Sequence, residues 1–148
     1  MNYYKGKRVV VTGASSGIGR AVCKDLVRFG ASVVAIARNE SKLSDLATET
    51  ADHIGEIFVH PMDLRKIDDM DTKIEKIGEH LGQKVDILFN NAGSGKSAPF
   101  VQSKDHDDQE TIALNLTGTI LFTKKIYQTF IRPEPKDTII AFTTSLIS

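Results

Sequence analysis

A chain of 148 residues and 16.3 kDa, 41% of them hydrophobic, has room for one domain with a real core and is not disordered by composition. Lys plus Arg number 19 and Asp plus Glu number 19, so the formal charge is zero; this argues against a dedicated nucleic-acid binder and gives no support for a polybasic membrane patch. The single cysteine, Cys23, excludes an internal disulfide framework and a cysteine-based zinc cage, no apolar run is long enough to span a bilayer, and the polar stretch Met1–Arg8 lacks a signal-peptide core, so a soluble, cytoplasmic protein of a reducing compartment is expected.

Taken in chain order, short apolar strands alternate with amphipathic helices. Arg8–Thr12, with Val9, Val10 and Val11 consecutive, reads as a buried strand. Ile18, Ala21, Val22, Leu26 and Phe29 share one helical face, and Gly30 is placed to end that helix. Ser32–Ala37 is a second strand, and Leu43, Leu46, Ala47 and Ile54 form a second helical stripe. A third strand covers Glu56–His60. Ile67, Met70, Ile74, Ile77 and Leu81 then alternate spacings of three and four, with Gly82 as the stop. Val85–Asn90 is a fourth strand. A fourth helix is expected from near Asp105–Asp108 to about Arg132, its three aspartates suiting the positive end of a helix dipole. Pro133 and Pro135 break the chain before a fifth strand, Thr138–Thr143. The order β-α-β-α-β-α-β-α-β predicts a single doubly wound α/β domain over residues 1–148, with right-handed crossovers and an open edge at the fifth strand.

Thr12-Gly13-Ala14-Ser15-Ser16-Gly17-Ile18-Gly19 joins the first strand to the first helix. Phosphate binding needs this context. Gly13 permits the tight turn, Gly17 lets a pyrophosphate approach the backbone, and Gly19 lets helix and sheet pack closely, while the helix N-terminus offers free N–H donors. The spacing is Gly-x-x-x-Gly-x-Gly rather than Gly-x-Gly-x-x-Gly. The other reading is a glycine-rich turn without a ligand.

This run, together with Asn90-Asn91-Ala92-Gly93, resembles the short-chain dehydrogenase/reductase (SDR) family, with the two motifs on the first and fourth strands as that family has them. The resemblance covers the whole chain, which corresponds to the N-terminal part of a usual member. It implies a Rossmann-type doubly wound parallel sheet truncated after the fifth strand, lacking the C-terminal strands, the Tyr-x-x-x-Lys helix and the substrate loop. The cofactor-binding residues it implies are Gly13, Ser15, Ser16, Gly17, Ile18, Gly19, Arg38, Asn39, Asp63, Leu64, Asn91, Ala92 and Gly93. Asn91, Ala92 and Gly93 are expected along the nicotinamide-ribose side, with Asn90 tying strands together.

The coenzyme choice turns on the end of the second strand. An NAD-selective site places Asp or Glu there; this chain has Ala37 followed by Arg38. A guanidinium grips a 2′-phosphate that a carboxylate would repel, so NADP(H) is expected over NAD(H), with Ser15 and Ser16 adding hydroxyls. The alternative for Arg38 is a solvated surface arginine. Asp63 is expected to accept from the adenine amino group, and capping of the following helix is its other role.

By the same resemblance, the family's chemistry uses Asn, Ser, Tyr and Lys. Asn115, in Leu114-Asn115-Leu116, matches the Asn; Ser145, past the fifth strand, matches the Ser. Their ordinary readings are a satisfied core asparagine and one more hydroxyl in a Ser/Thr cluster. The Tyr-x-x-x-Lys pair belongs about a dozen residues after Ser145 and is absent from the 148 residues. Tyr3 and Lys7 have that spacing but precede the first strand, at the edge opposite the cofactor, so the match is accidental. Without the acid/base pair, proton-transfer assistance of about 10²–10⁴-fold is missing, and the polypeptide alone is expected to be inactive or nearly so.

Gly93-Ser94-Gly95-Lys96-Ser97 reads as a flexible loop near the substrate rather than a P-loop, because Asn90 stands where a glycine is required. His53, His60, His80 and His106 have no metal-ligand spacing, so no metal is expected. The expected function is NADP(H)-dependent hydride transfer with a small carbonyl or alcohol substrate, this chain being the cofactor-binding part, and the long fourth helix is a candidate homo-oligomer contact. The alternative is an inactive nucleotide-binding or oligomerising module, or a truncated fragment without function.

Overall fold

Val9, Val10 and Val11 are fully buried because the strand that carries them is covered on both faces. The computed structural model of the chain describes residues 3–95, 99–131 and 137–144. Five strands form one parallel sheet: β1 (Arg8–Thr12), β2 (Ser32–Ala37), β3 (Glu56–Pro61), β4 (Ile87–Asn90) and β5 (Ile139–Phe142), in the order β3-β2-β1-β4-β5. The strand order reverses at β1 and β4, so the crevice for a ligand lies beyond their carboxyl ends.

Alternate residues of β1 point to opposite layers. Val9 and Val11 pack with Val33, Ala35 and Ile87 against Cys23, Leu26 and Val27 of α1 (Gly17–Arg28) and Leu43 and Leu46 of α2 (Glu40–Glu49). Val10 packs with Val34, Ile36 and Leu88 against Met70, Ile74, Ile77 and Leu81 of α3 (Met70–Leu81) and against Leu114, Phe122, Ile126 and Phe130 of the last helical run. Each Val, Leu, Ile, Phe or Met side chain so buried contributes about 1.5–3 kcal/mol.

Several expected boundaries move. The buried stripe of α1 is Gly19, Val22, Cys23, Leu26 and Val27; Ile18 is 60% exposed, Ala21 is exposed, and Phe29 is the partly exposed C-cap. The helix turns its glycine inward, where a Cβ on Gly19 would lie 2.4 Å from the Gly13 carbonyl oxygen, and that rotates Ile18 outward. Gly30, at φ +87°, ends α1 as expected: its N–H donates to the Val27 carbonyl and that of Ala31 to the Leu26 carbonyl, the two bonds of a Schellman cap. Ile54 lies past α2 and is exposed, and Ile67 precedes α3 and is also exposed. Gly82 closes α3 in the left-handed region. β3 extends to Pro61, which an edge strand accommodates. β4 starts at Ile87 rather than Val85 because Asp86 is spent on anchoring: it accepts from the backbone N–H and the Nε of Arg8, at 2.8 and 2.9 Å. Burial pushes the Asp86 carboxyl up, but the Arg8 hydrogen bonds outweigh it and hold the group below its ordinary value.

The fourth helix is not one α-helix. It runs as α4 (Asp105–Ile112), a π-helical stretch Ala113–Gly118, α5 (Thr119–Ile126) and a second π-helical stretch Tyr127–Ile131. Asp105, Asp107 and Asp108 occupy its first turn as expected. Arg132, Pro133 and Pro135 lie outside the described residues. At the sheet's other edge β5 leaves Ile139, Ile140 and Phe142 exposed. No described helix is long and apolar enough to cross a membrane.

Candidate functional site

The turn after β1 is built for close backbone approach. Gly13 has φ +69°, and a Cβ there would fall 2.9 Å from the Ala92 Cα. Thr12 fixes the same seam, its Oγ1 accepting from the backbone N–H groups of Asn91 and Ala92, both at 3.0 Å. Gly17 has φ +52° and open space where its Cβ would stand, the cradle that a phosphate approaching the amides of α1 would need. Ser16 precedes α1 in an extended conformation with no capping hydrogen bond from its side chain.

In front of this turn lies a cavity of about 660 Å³. Of the expected cofactor residues, Gly13, Ser15, Ser16, Arg38, Asn39, Asp63, Leu64, Asn91, Ala92 and Gly93 line it. Gly17, Ile18 and Gly19 form the first turn of α1 beside it but are not among the lining residues. Arg38 is exposed at the end of β2, and Ala37 next to it carries no acid. Asn39 caps α2, its side-chain oxygen accepting from Lys42 N–H at 3.0 Å, so that atom is committed to the helix.

Asp63 caps no helix; α3 starts at Met70 behind Asp69. Its carboxylate instead receives Arg65, through the backbone N–H at 3.1 Å, Nε at 2.9 Å and Nη2 at 2.6 Å. These bonds from Arg65, with a smaller pull from Arg38, hold its carboxyl below the ordinary range, so Asp63 is an ionised acceptor. Arg65 also pairs with Glu110 of α4. Leu64 is buried, and its carbonyl oxygen abuts the helical run where a Cβ on Gly118 would lie 2.4 Å away.

A second cavity, of about 570 Å³, lies on the other side of Asn91–Gly93 and includes Asn90, Asn115, Thr119 and Phe142–Thr144 in its lining. Asn115 sits in the π-helical stretch; such irregularities often mark functional sites. It is exposed, not a core asparagine: Oδ1 accepts from Ser94 N–H at 2.9 Å and Nδ2 donates to the Ser94 carbonyl at 2.8 Å. It therefore holds the loop after β4 against the helix. Asn90 ties β4 to β5 through its backbone carbonyl, which accepts from Thr143 N–H; its buried side chain has no hydrogen-bond partner among the described residues. Ser145, Lys96 and Ser97 lie outside the described residues.

Lys42, Ile36, Met62 and Leu114 also line the first cavity, although the sequence motifs assign them no part in it. Only Lys42 had a legible signal, a cation in the first turn of the helix that follows Arg38. Tyr3 and Lys7 pair with each other, the ammonium 4.9 Å from the ring centroid, at the amino edge of the sheet. Cys23 is fully buried, and burial pushes its thiol up to about 12, so it is no nucleophile. Among the described residues no group of three or more His, Cys, Asp or Glu side chains could hold a metal.

The short chain dehydrogenase family model matches residues 7–148. A very-long-chain 3-oxoacyl-CoA reductase from Pyricularia oryzae is 35% identical over 125 residues, which are 82% of this chain and 38% of that protein. Among solved structures, a metagenomic short-chain oxidoreductase in complex with NADP superposes with a TM-score of 0.86 at 32% identity, covering 97% of this chain and 64% of that one. A 3-ketoacyl-(acyl-carrier-protein) reductase from Brucella melitensis complexed with NADH gives 0.84 at 30% identity, covering 95% and 57%. The chain thus spans between about two fifths and two thirds of the length of these relatives.

Proposed function

The chain belongs to the short-chain dehydrogenase family, and from that premise we propose that it is the NADP(H)-binding portion of an oxidoreductase that moves hydride between a nicotinamide and a carbonyl or alcohol. The observation that carries the coenzyme choice is the rim of the first cavity: Arg38 stands at the end of β2 beside Ser15 and Ser16, and Ala37 leaves no carboxylate to repel a 2′-phosphate.

Each residue has a part. Gly13 and Gly17 keep side chains away from the amides of α1 so that a diphosphate can rest there. Asp63, kept ionised by Arg65, accepts from the adenine amino group, while Asn91, Ala92 and Gly93 line the nicotinamide-ribose side. When bound, the nicotinamide supplies or accepts the hydride. Asn115 fixes the loop after β4 beside the second cavity, and Ser145 is the residue that would hydrogen-bond the substrate oxygen. The 148 residues contain no Tyr-x-x-x-Lys pair after β5 to move the proton, so this polypeptide assayed alone is expected to turn over slowly or not at all. Exposed Ile112, Leu116 and Ile120 recur every fourth residue along the helical run and support its pairing with a second copy.

Fluorescence titration of the chain with NADPH and NADH tests the proposal. NADPH binds more tightly, and Arg38→Asp reverses the order. Unchanged selectivity in that variant, or rapid carbonyl reduction by the wild-type polypeptide, contradicts it.

A further inference from the structure

The rim that holds Arg38 carries a second cation that no motif predicts. Lys42 lines the same cavity as Ser15, Ser16, Arg38 and Asn39. Its backbone is fixed on both sides: its N–H donates to the Asn39 side chain at 3.0 Å, and its carbonyl accepts from Arg20 Nη1 of α1 at 2.9 Å. Arg20 and Lys24 both reach Glu49 at the far end of α2, at 2.5 Å each, so the two helices are braced together under this residue. The Lys42 ammonium has no ion-pair partner among the described residues. The glycine turn itself, with Ser15 and Ser16, supplies hydroxyls but no cation. Among the described residues Asp63 is the one acid lining the cavity, and it is already paired with Arg65. In a chain of zero formal charge the rim is thus locally cationic, with Arg38 and Lys42, neither in an ion pair among the described residues, lining the same cavity as two hydroxyls.

We infer that Lys42 is the second cation of the 2′-phosphate site, placed by α2 where the glycine turn offers none, and that with Arg38 it sets the preference for NADP(H). The inference rests on the coenzyme reading above and assigns it a residue. A dianionic phosphate uses both shapes of donor: the planar guanidinium grips two oxygens, and the ammonium acts as a point charge on the third.

The test titrates wild type, Lys42→Met, Lys42→Arg and Arg38→Ala with NADPH and with NADH at two salt concentrations, circular dichroism confirming the fold of each. Loss of one charge-assisted hydrogen bond weakens NADPH about tenfold in Lys42→Met. NADH changes by less than about twofold, Lys42→Arg stays within about threefold of wild type for NADPH, and the NADPH affinity of Lys42→Met falls less steeply with salt. If Lys42→Met shifts both coenzymes equally, or neither, while Arg38→Ala still erases the preference, the role of Lys42 is overturned and the coenzyme reading survives. If the wild-type chain favours NADH, or binds neither coenzyme, both are overturned.

Discussion

The two sides of the sheet are finished to different degrees. On one side of the β1–β4 crevice, β1 and β2 have their apolar residues buried between two layers, and α1 and α2 are regular and braced by Arg20, Lys24 and Glu49. On the other, β5 exposes three large apolar residues, and the helical run covering that flank passes twice into π-helical geometry. The glycine turn and most of the first cavity's lining thus belong to the better-packed half, and Asn115 belongs to the irregular one. Holding a diphosphate needs fixed backbone amides, which packing supplies locally.

The sharpest break in this comparison comes at the glycines. Gly19→Ala puts a Cβ 2.4 Å from a backbone carbonyl, so helix and turn must separate; a loss of coenzyme affinity of at least about tenfold and a lower melting temperature are expected. Gly17→Ala meets open space in the free chain and costs only the left-handed strain of about 1–2 kcal/mol in stability, while its Cβ intrudes on the cradle where a diphosphate would rest, so coenzyme affinity falls there too. Equal effects of the two substitutions in thermal melts would show that the turn is less tightly packed than described.

A smaller effect separates the strands. Val10→Ala in β1 is expected to destabilise by about 2 kcal/mol, and Ile140→Ala in β5 by about 1 kcal/mol or less although it removes more carbon. Urea unfolding measures both; the reverse order would mean that β5 is buried in solution.

A pH-dependent effect concerns His60, near the end of β3. Burial, reinforced by Lys73, His80 and Lys76, pushes its imidazole down to about 4. An unfolded histidine titrates near about 6.5, so between that pH and about 4 the unfolded chain binds the extra proton and stability falls as pH falls. His60→Phe flattens the stability profile in that window without flattening the fall below it, which belongs to Asp63 and Asp86. Parallel profiles for the two proteins would contradict the assignment.

Much of this was legible in the sequence, for particular reasons. β1 and β2 were found to the residue because consecutive Val and Ile signal coverage on both faces, and Gly30 and Gly82 mark helix ends that need positive φ. The glycine turn was legible because contact with backbone demands glycine. The π-helical stretches were not, since Ala113–Gly118 is only six residues long, too short for its wider turn to leave a distinct apolar period. The face of α1 was misassigned because a buried glycine adds nothing to an apolar stripe. The bond from Arg65 to Asp63 spans two residues, yet the turn that forms it has no pattern of its own.

The Thr12 hydroxyl has a mechanical consequence. One oxygen receives two amides from across the β1–β4 seam, so parting these strands at their carboxyl ends breaks both bonds together. The floor of the first cavity is therefore stiff, and the freedom to widen or narrow the cavity falls to its rim: the exposed side chains of Arg38 and Lys42 on one flank and, on the other, the 93–95 backbone, which Asn115 holds through Ser94.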